Sequence, residues 1–194
     1  MKKTDTVRRG ALLAAVMVLA GALPGWCAFT ACNDLAWPGP PELSQHITTY
    51  APGGQTNGSL KDFDSGSNVA VQVACTGTIA GTGSGSLTPP VGSDAFNAFD
   101  GRVSVTSYLY FASGALTLDF SGLDSSKQYD FVLYGSRGDT GASYQSRFLK
   151  AVISGATSFA NGSSAGTAIS RTVADGDTTV CVAGNTNGMV IRYT

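Results

Sequence analysis

From Phe29 onward, apolar and polar residues alternate with a period of two, and this restricts the fold more than any motif in the chain does. Val69, Val71, Val73 and Cys75 alternate with Ala70, Gln72 and Ala74, and Leu116, Leu118 and Phe120 alternate with Thr117 and Asp119. Successive residues of a strand point to opposite faces, so this spacing predicts strands with one face on a core and the other in water. Further strands are expected over 46–50, 102–111, 128–134, 147–154, 167–173, 178–183 and 189–194. No stretch of 10 residues carries helical spacing, and Asp94 to Asp100 is expected to be a turn at most. Turn clusters such as Gly53-Gly54, Asn57-Gly58, Gly122 to Ser126 and Asn185 to Gly188 separate the strands, and Gly77 to Ser86 is expected to be a flexible hairpin loop. About nine short strands joined this way predict an all-β fold, an antiparallel β-sandwich of jelly-roll type, as one domain over residues 29–194. Residues 189–194 either close the sheet or end a fragment of a longer polypeptide.

The N-terminus reads differently. Lys2, Lys3, Arg8 and Arg9 precede a 13-residue apolar run, Ala11 to Leu23, which Pro24-Gly25 breaks. A basic stretch, a short apolar stretch and a polar break predict a signal peptide over residues 1–28, and hence a secreted, extracellular or periplasmic protein. The run is too short to cross a bilayer as a helix, which takes about 20 apolar residues. Ala20-Gly21-Ala22 suits a peptidase, and the mature start is expected between Leu23 and Phe29. Arg8-Arg9 raises the twin-arginine route, but Val7 stands where Ser or Thr is preferred. Cys27 raises lipidation, but bulky Trp26 stands beside it.

Composition then narrows the function. Charged residues make up 13% of the 194, about half the usual 25%. Without residues 1–28 the chain holds 8 basic and 12 acidic residues, net -4. Nothing in this balance attracts nucleic acid or anionic lipid. Cys32, Cys75 and Cys181 remain. Cys75 and Cys181 fall at inward positions of alternating runs, so they are either a disulfide across the sandwich or plain buried hydrophobes. No spacing of Cys or His suits zinc. Asp62-Phe63-Asp64 with Asn68 has the alternating oxygen spacing of a structural calcium site, and Asp175-Gly176-Asp177 is similar, but neither has the Gly and distal Glu of a full calcium loop. No other cofactor is indicated.

Gly162-Ser163-Ser164-Ala165-Gly166 matches the serine hydrolase pattern G-x-S-x-G. That elbow needs a strand before it, a helix after it and a later histidine, whereas the one histidine, His46, lies upstream. The eleven Asp within residues 29–194 supply many carboxylates and select no pair for a glycosidase. The chain is therefore expected not to be an enzyme.

The densest constellation is Leu123 to Gly138, LDSSKQYDFVLYGSRG, followed by Tyr144-Gln145-Ser146-Arg147. It resembles a group of bacterial secreted β-sandwich modules, similar to galactose-binding-like domains, whose core hairpin reads GLDPSKxYxFxLYGSR and is followed by an Asp-Arg pair. Asn33 to Trp37, Ser93 to Gly101 and Asn185 to Val190 match the same group. Ser125 replaces its usual Pro, and Ser146 stands where Asp would precede Arg147. The resemblance implies a non-catalytic module that binds polysaccharide or cell-surface glycan, or mediates extracellular contacts. A ligand-free structural domain and a polysaccharide-active enzyme or its accessory domain are the rivals. The resemblance also implies ligand-binding candidates: Arg137 and Arg147 as planar donor forks, Trp37, Tyr110 or Tyr144 as stacking rings, and Asp94.

Overall fold

The computed structural model describes residues 11–13, 15–20, 29–34, 46, 48–49, 57–77, 81–111, 115–137, 147–166, 169–171, 176–182 and 184–194. Within them the strands are β1 (Ala11–Leu13), β2 (Ala15–Ala20), β3 (Thr30–Asp34), β4 (Thr48–Thr49), β5 (Asn57–Lys61), β6 (Asn68–Gly77), β7 (Gly81–Ser84), β8 (Ser107–Phe111), β9 (Leu116–Ser121), β10 (Tyr129–Tyr134), β11 (Phe148–Val152), β12 (Ile169–Arg171), β13 (Thr178–Val182) and β14 (Ile191–Tyr193). One helix, α1 (Asp94–Phe99), lies between β7 and β8. Among the described residues no helix is long and apolar enough to cross a membrane.

The strands form four small sheets, ordered β14-β10-β2-β3-β4, β1-β8-β7, β5-β6-β9 and β11-β13-β12. Every pairing is antiparallel except the short parallel pair β3–β4. The chain is thus all-β, and its sheets are mostly antiparallel.

The alternation places the core. Val71, Val73 and Cys75 of β6 are buried while Ala70 and Gln72 are exposed, and β9 alternates in the same way. These residues join Ala31, Leu60, Leu109, Leu149, Cys181, Ile191 and Tyr193 in one cluster. A second cluster combines Cys32, Val132 and Tyr134 with Ala95, Ala98 and Phe99 of α1 and with Val103 and Val105. Strand β10 serves both, turning Tyr129, Phe131 and Leu133 to the first and Val132 and Tyr134 to the second. Its even-numbered positions are the more deeply buried, since Val132 is 0% and Tyr134 1% exposed. A strand covered on both faces need not alternate in polarity.

Four local expectations are corrected. Asp94 to Phe99 is a helix, because the Ser93 side chain accepts a hydrogen bond from the Phe96 amide at its N-terminus and Ala95, Ala98 and Phe99 fall on one buried face. Residues 102–106 are not strand; they lead out of α1 and bury Val103 and Val105. Asn57-Gly58 opens β5 rather than a turn, and Gly81–Ser84 of the expected loop forms β7. Apart from these four, Ala11–Leu13 and Ala15–Ala20 within the N-terminal apolar run are β1 and β2, and β2 pairs with β10 over six residues and β3 over five. Residues 21–28, where cleavage is expected, lie outside the described residues.

Candidate functional site

Three of the four segments that carry the resemblance meet in the fold. The Ala95 amide donates to the Gly188 carbonyl at 2.8 Å, joining the start of α1 to the loop before β14. Asn185, fully buried, donates to the Gly135 and Met189 carbonyls at 3.3 and 2.7 Å and accepts from the Met189 amide at 3.0 Å. Ser136, also fully buried, donates to the Asn185 carbonyl at 3.1 Å, and Ser86 donates to the Ser136 carbonyl at 2.5 Å. The Gly135-Ser136 end of the hairpin motif is therefore fastened to Asn185 from inside. Buried polar groups satisfied this way hold loops in place and are closed to ligand.

Asp94 is exposed, but its carboxylate accepts from Ser164 Oγ at 2.5 Å, and Ser164 Oγ accepts in turn from the Val190 amide at 2.9 Å. Ser164 is the central serine of the G-x-S-x-G match, and its hydroxyl ties α1 to the approach to β14. His46 lies elsewhere, its Nδ1–H donating to the Phe63 carbonyl at 2.7 Å and its ring filling the space over Gly66, where an added Cβ would meet it at 2.7 Å. These are structural bonds.

An aromatic surface is built on β7 and β8. Tyr108 and Tyr110 lie on one face of β8, opposite Gly83 and Gly81 of β7. A Cβ on Gly83 would come within 2.6 Å of the Tyr108 hydroxyl, and one on Gly81 within 2.9 Å of the Tyr110 hydroxyl. The hydroxyl ends of both rings therefore reach over bare glycine backbone, and a side chain at either glycine would displace them. The ring centroids are 6.5 Å apart. The Arg137 guanidinium sits 5.3 Å from the Tyr108 centroid, within cation–π range. Tyr108 is 3% exposed and Tyr110 39%, so the array runs from a covered cation–ring pair to an open ring. Of the candidates read from sequence, the fold thus links Arg137 to Tyr110, through Tyr108. Tyr108, Gly81 and Gly83 were missed, although Gly-x-Gly in one strand against Tyr-x-Tyr in another is a readable signal.

Trp37, Tyr144 and Asp175 lie outside the described residues. Arg147 is half-buried just before β11. Asp62, Asp64 and Asn68 occupy the β5–β6 connection and its edge. The Asp62 carboxylate accepts from Ser65 Oγ at 2.7 Å, a bond that holds this carboxyl below its usual range, while Asp64 and Asn68 are exposed. The turn uses Asp62 itself, as Asp commonly does. Among the described residues no three His, Cys, Asp or Glu side chains gather as metal ligands.

Cys75 and Cys181 share the first core cluster as buried thiols and are not joined by a disulfide, which corrects the candidate pairing. Burial disfavours the thiolate form: it raises the Cys75 pKa and pushes that of Cys181 up to about 12. Cys32, buried in the second cluster, is pushed up to about 11, with Arg102 opposing the shift. An unfolded chain ionises these thiols near 9.0. Above that pH the unfolded chain binds fewer protons than the folded one, so the stability these thiols contribute is fully present below pH 9 and is lost as pH rises towards 11–12. Melting temperatures under reducing conditions are expected to fall between pH 8.5 and 10.5, and Cys181→Ala is expected to flatten that fall. An equal fall in the variant would contradict this assignment.

No protein-family model, curated protein or solved structure matches the chain.

Proposed function

We propose that the chain is an exported β-sandwich module of galactose-binding-like or jelly-roll type that binds carbohydrate through the Tyr110 surface. The observation that carries this reading is a part-exposed ring, Tyr110, whose hydroxyl end lies over the Gly81 backbone, beside a ring with an arginine in cation–π range. A fixed, partly open aromatic face is what a sugar ring stacks on, and a nearby guanidinium offers planar donors to hydroxyls or carboxylates. The leader-like N-terminus and low charge support export and an uncharged or mildly acidic glycan.

A ligand-free structural domain of an envelope or matrix is the second reading. Its support is that Asp94, Ser136, Ser164 and Asn185 are all engaged in internal bonds. Native affinity electrophoresis of the folded chain in gels containing neutral or uronate-bearing polysaccharides separates the two. Retardation by at least one polysaccharide is expected. Unchanged mobility across the whole panel would favour the structural reading.

A further inference from the structure

The five-stranded sheet depends at its centre on residues that export would remove. Among the described residues β2 alone joins β3 to β10 in that sheet: Tyr129↔Ala20 to Tyr134↔Ala15 on one side, and Leu19↔Thr30 to Ala15↔Asp34 on the other. The sheet is covered on both faces, because β3 and β10 each contribute to both core clusters. A strand at that position must be apolar towards both sides, and Ala15-Val16-Met17-Val18-Leu19-Ala20 has no polar residue at any of its six positions. One defect marks the fit. Asn33, 5% exposed and directly opposite Val16, finds no hydrogen-bond partner among the described residues for either its amide nitrogen or its oxygen. A buried polar group left this way destabilises the arrangement that buries it.

We propose that the position between β3 and β10 is a strand-acceptor site. Ala15–Ala20 fills it in the uncut chain, and once the chain is cut after the leader the site holds that same segment non-covalently. The hydrogen-bonding edges of β3 and β10 supply the affinity. Asn33 tunes the affinity for this segment, since a hydroxyl or amide in place of Val16 would supply the partner that Asn33 lacks. Main-chain pairing with side-chain selection at alternate positions is how added strands are recognised. The inference is independent of the carbohydrate reading.

The test uses the full chain with a specific protease site replacing Pro24-Gly25, folded and then cut. The N-terminal fragment is expected to co-elute with the body, and the amides of Tyr129, Asp130 and Tyr134, which pair with β2 and not with β14, to stay as protected from hydrogen exchange as before. A fragment that leaves the body would overturn the proposal. Non-specific adhesion of an apolar peptide is separated by register. Met17→Cys, opposite Cys32, is expected to cross-link to it on oxidation, whereas Val18→Cys, opposite Ala31, is not. Equal cross-linking by both would overturn the register. Val16→Thr gives Asn33 a partner and is expected to raise the melting temperature, while the same isosteric change at Val18 lowers it; a fall of equal size at both positions would overturn the role given to Asn33.

Discussion

Asn185→Ala is expected to lower the unfolding free energy by about 3–4 kcal/mol, because it deletes three hydrogen bonds made by a fully buried side chain and leaves buried backbone groups without partners. For a chain of this length that corresponds to a fall in melting temperature of about 6–16 °C. The loss exceeds that of an ordinary polar truncation because three bonds go at once, and the one to the Gly135 carbonyl is buried. Asn187, two residues on and exposed, is the control. Asn187→Ala is expected to stay within about 0.5 kcal/mol of the parent, as surface changes usually do. Thermal unfolding of the two variants side by side checks this, and similar small losses at both sites would mean that Asn185 does not fasten the hairpin.

The second large effect is expected at Gly122, which follows β9 in the hairpin motif. Its φ is +74°, and a Cβ there would lie 2.4 Å from the Ala70 carbonyl oxygen. Gly122→Ala therefore combines the left-handed backbone cost of about 1–2 kcal/mol with an overlap against rigid strand backbone of about 1–3 kcal/mol. Gly101 separates the two contributions. Its φ is +70°, and nothing stands within 4 Å of its added Cβ, so Gly101→Ala is expected to show the conformational cost alone. Denaturant unfolding of both variants checks the difference; equal losses would remove the steric contribution assigned to Ala70.

The alternating pattern was readable because one face of β6 and of β9 is wet. Their polarity therefore repeats with the strand period, and both strands lie where that period puts them. The pattern fails where tertiary cover replaces water. β10 is buried from both sides and α1 is only six residues long, too short for a helical period to stand out from its neighbours. β7 was hidden by composition, since Gly81 and Gly83 signal a loop locally and become strand where they pair with the two tyrosines of β8, whose hydroxyl ends reach over them. The same holds for the candidate site. Arg137 and Tyr110 were visible as residue types, but their link runs through Tyr108, whose role depends on strand pairing that no local window contains. The motif residues Asp94 and Ser164 look chemical in sequence because carboxylates and hydroxyls serve both catalysis and capping. Their neighbours decide the use, and here those neighbours are backbone amides and each other.

The aromatic surface is tested most directly by comparing Tyr110→Ala with Asp94→Asn in polysaccharide affinity electrophoresis, on whichever polymer retards the parent chain. Stacking on an exposed ring contributes roughly 0.5–1.5 kcal/mol, so Tyr110→Ala is expected to weaken binding about two- to tenfold, while Asp94→Asn leaves the mobility shift intact. Full retardation of Tyr110→Ala together with loss of retardation in Asp94→Asn would contradict the assignment and move the binding surface to the start of α1.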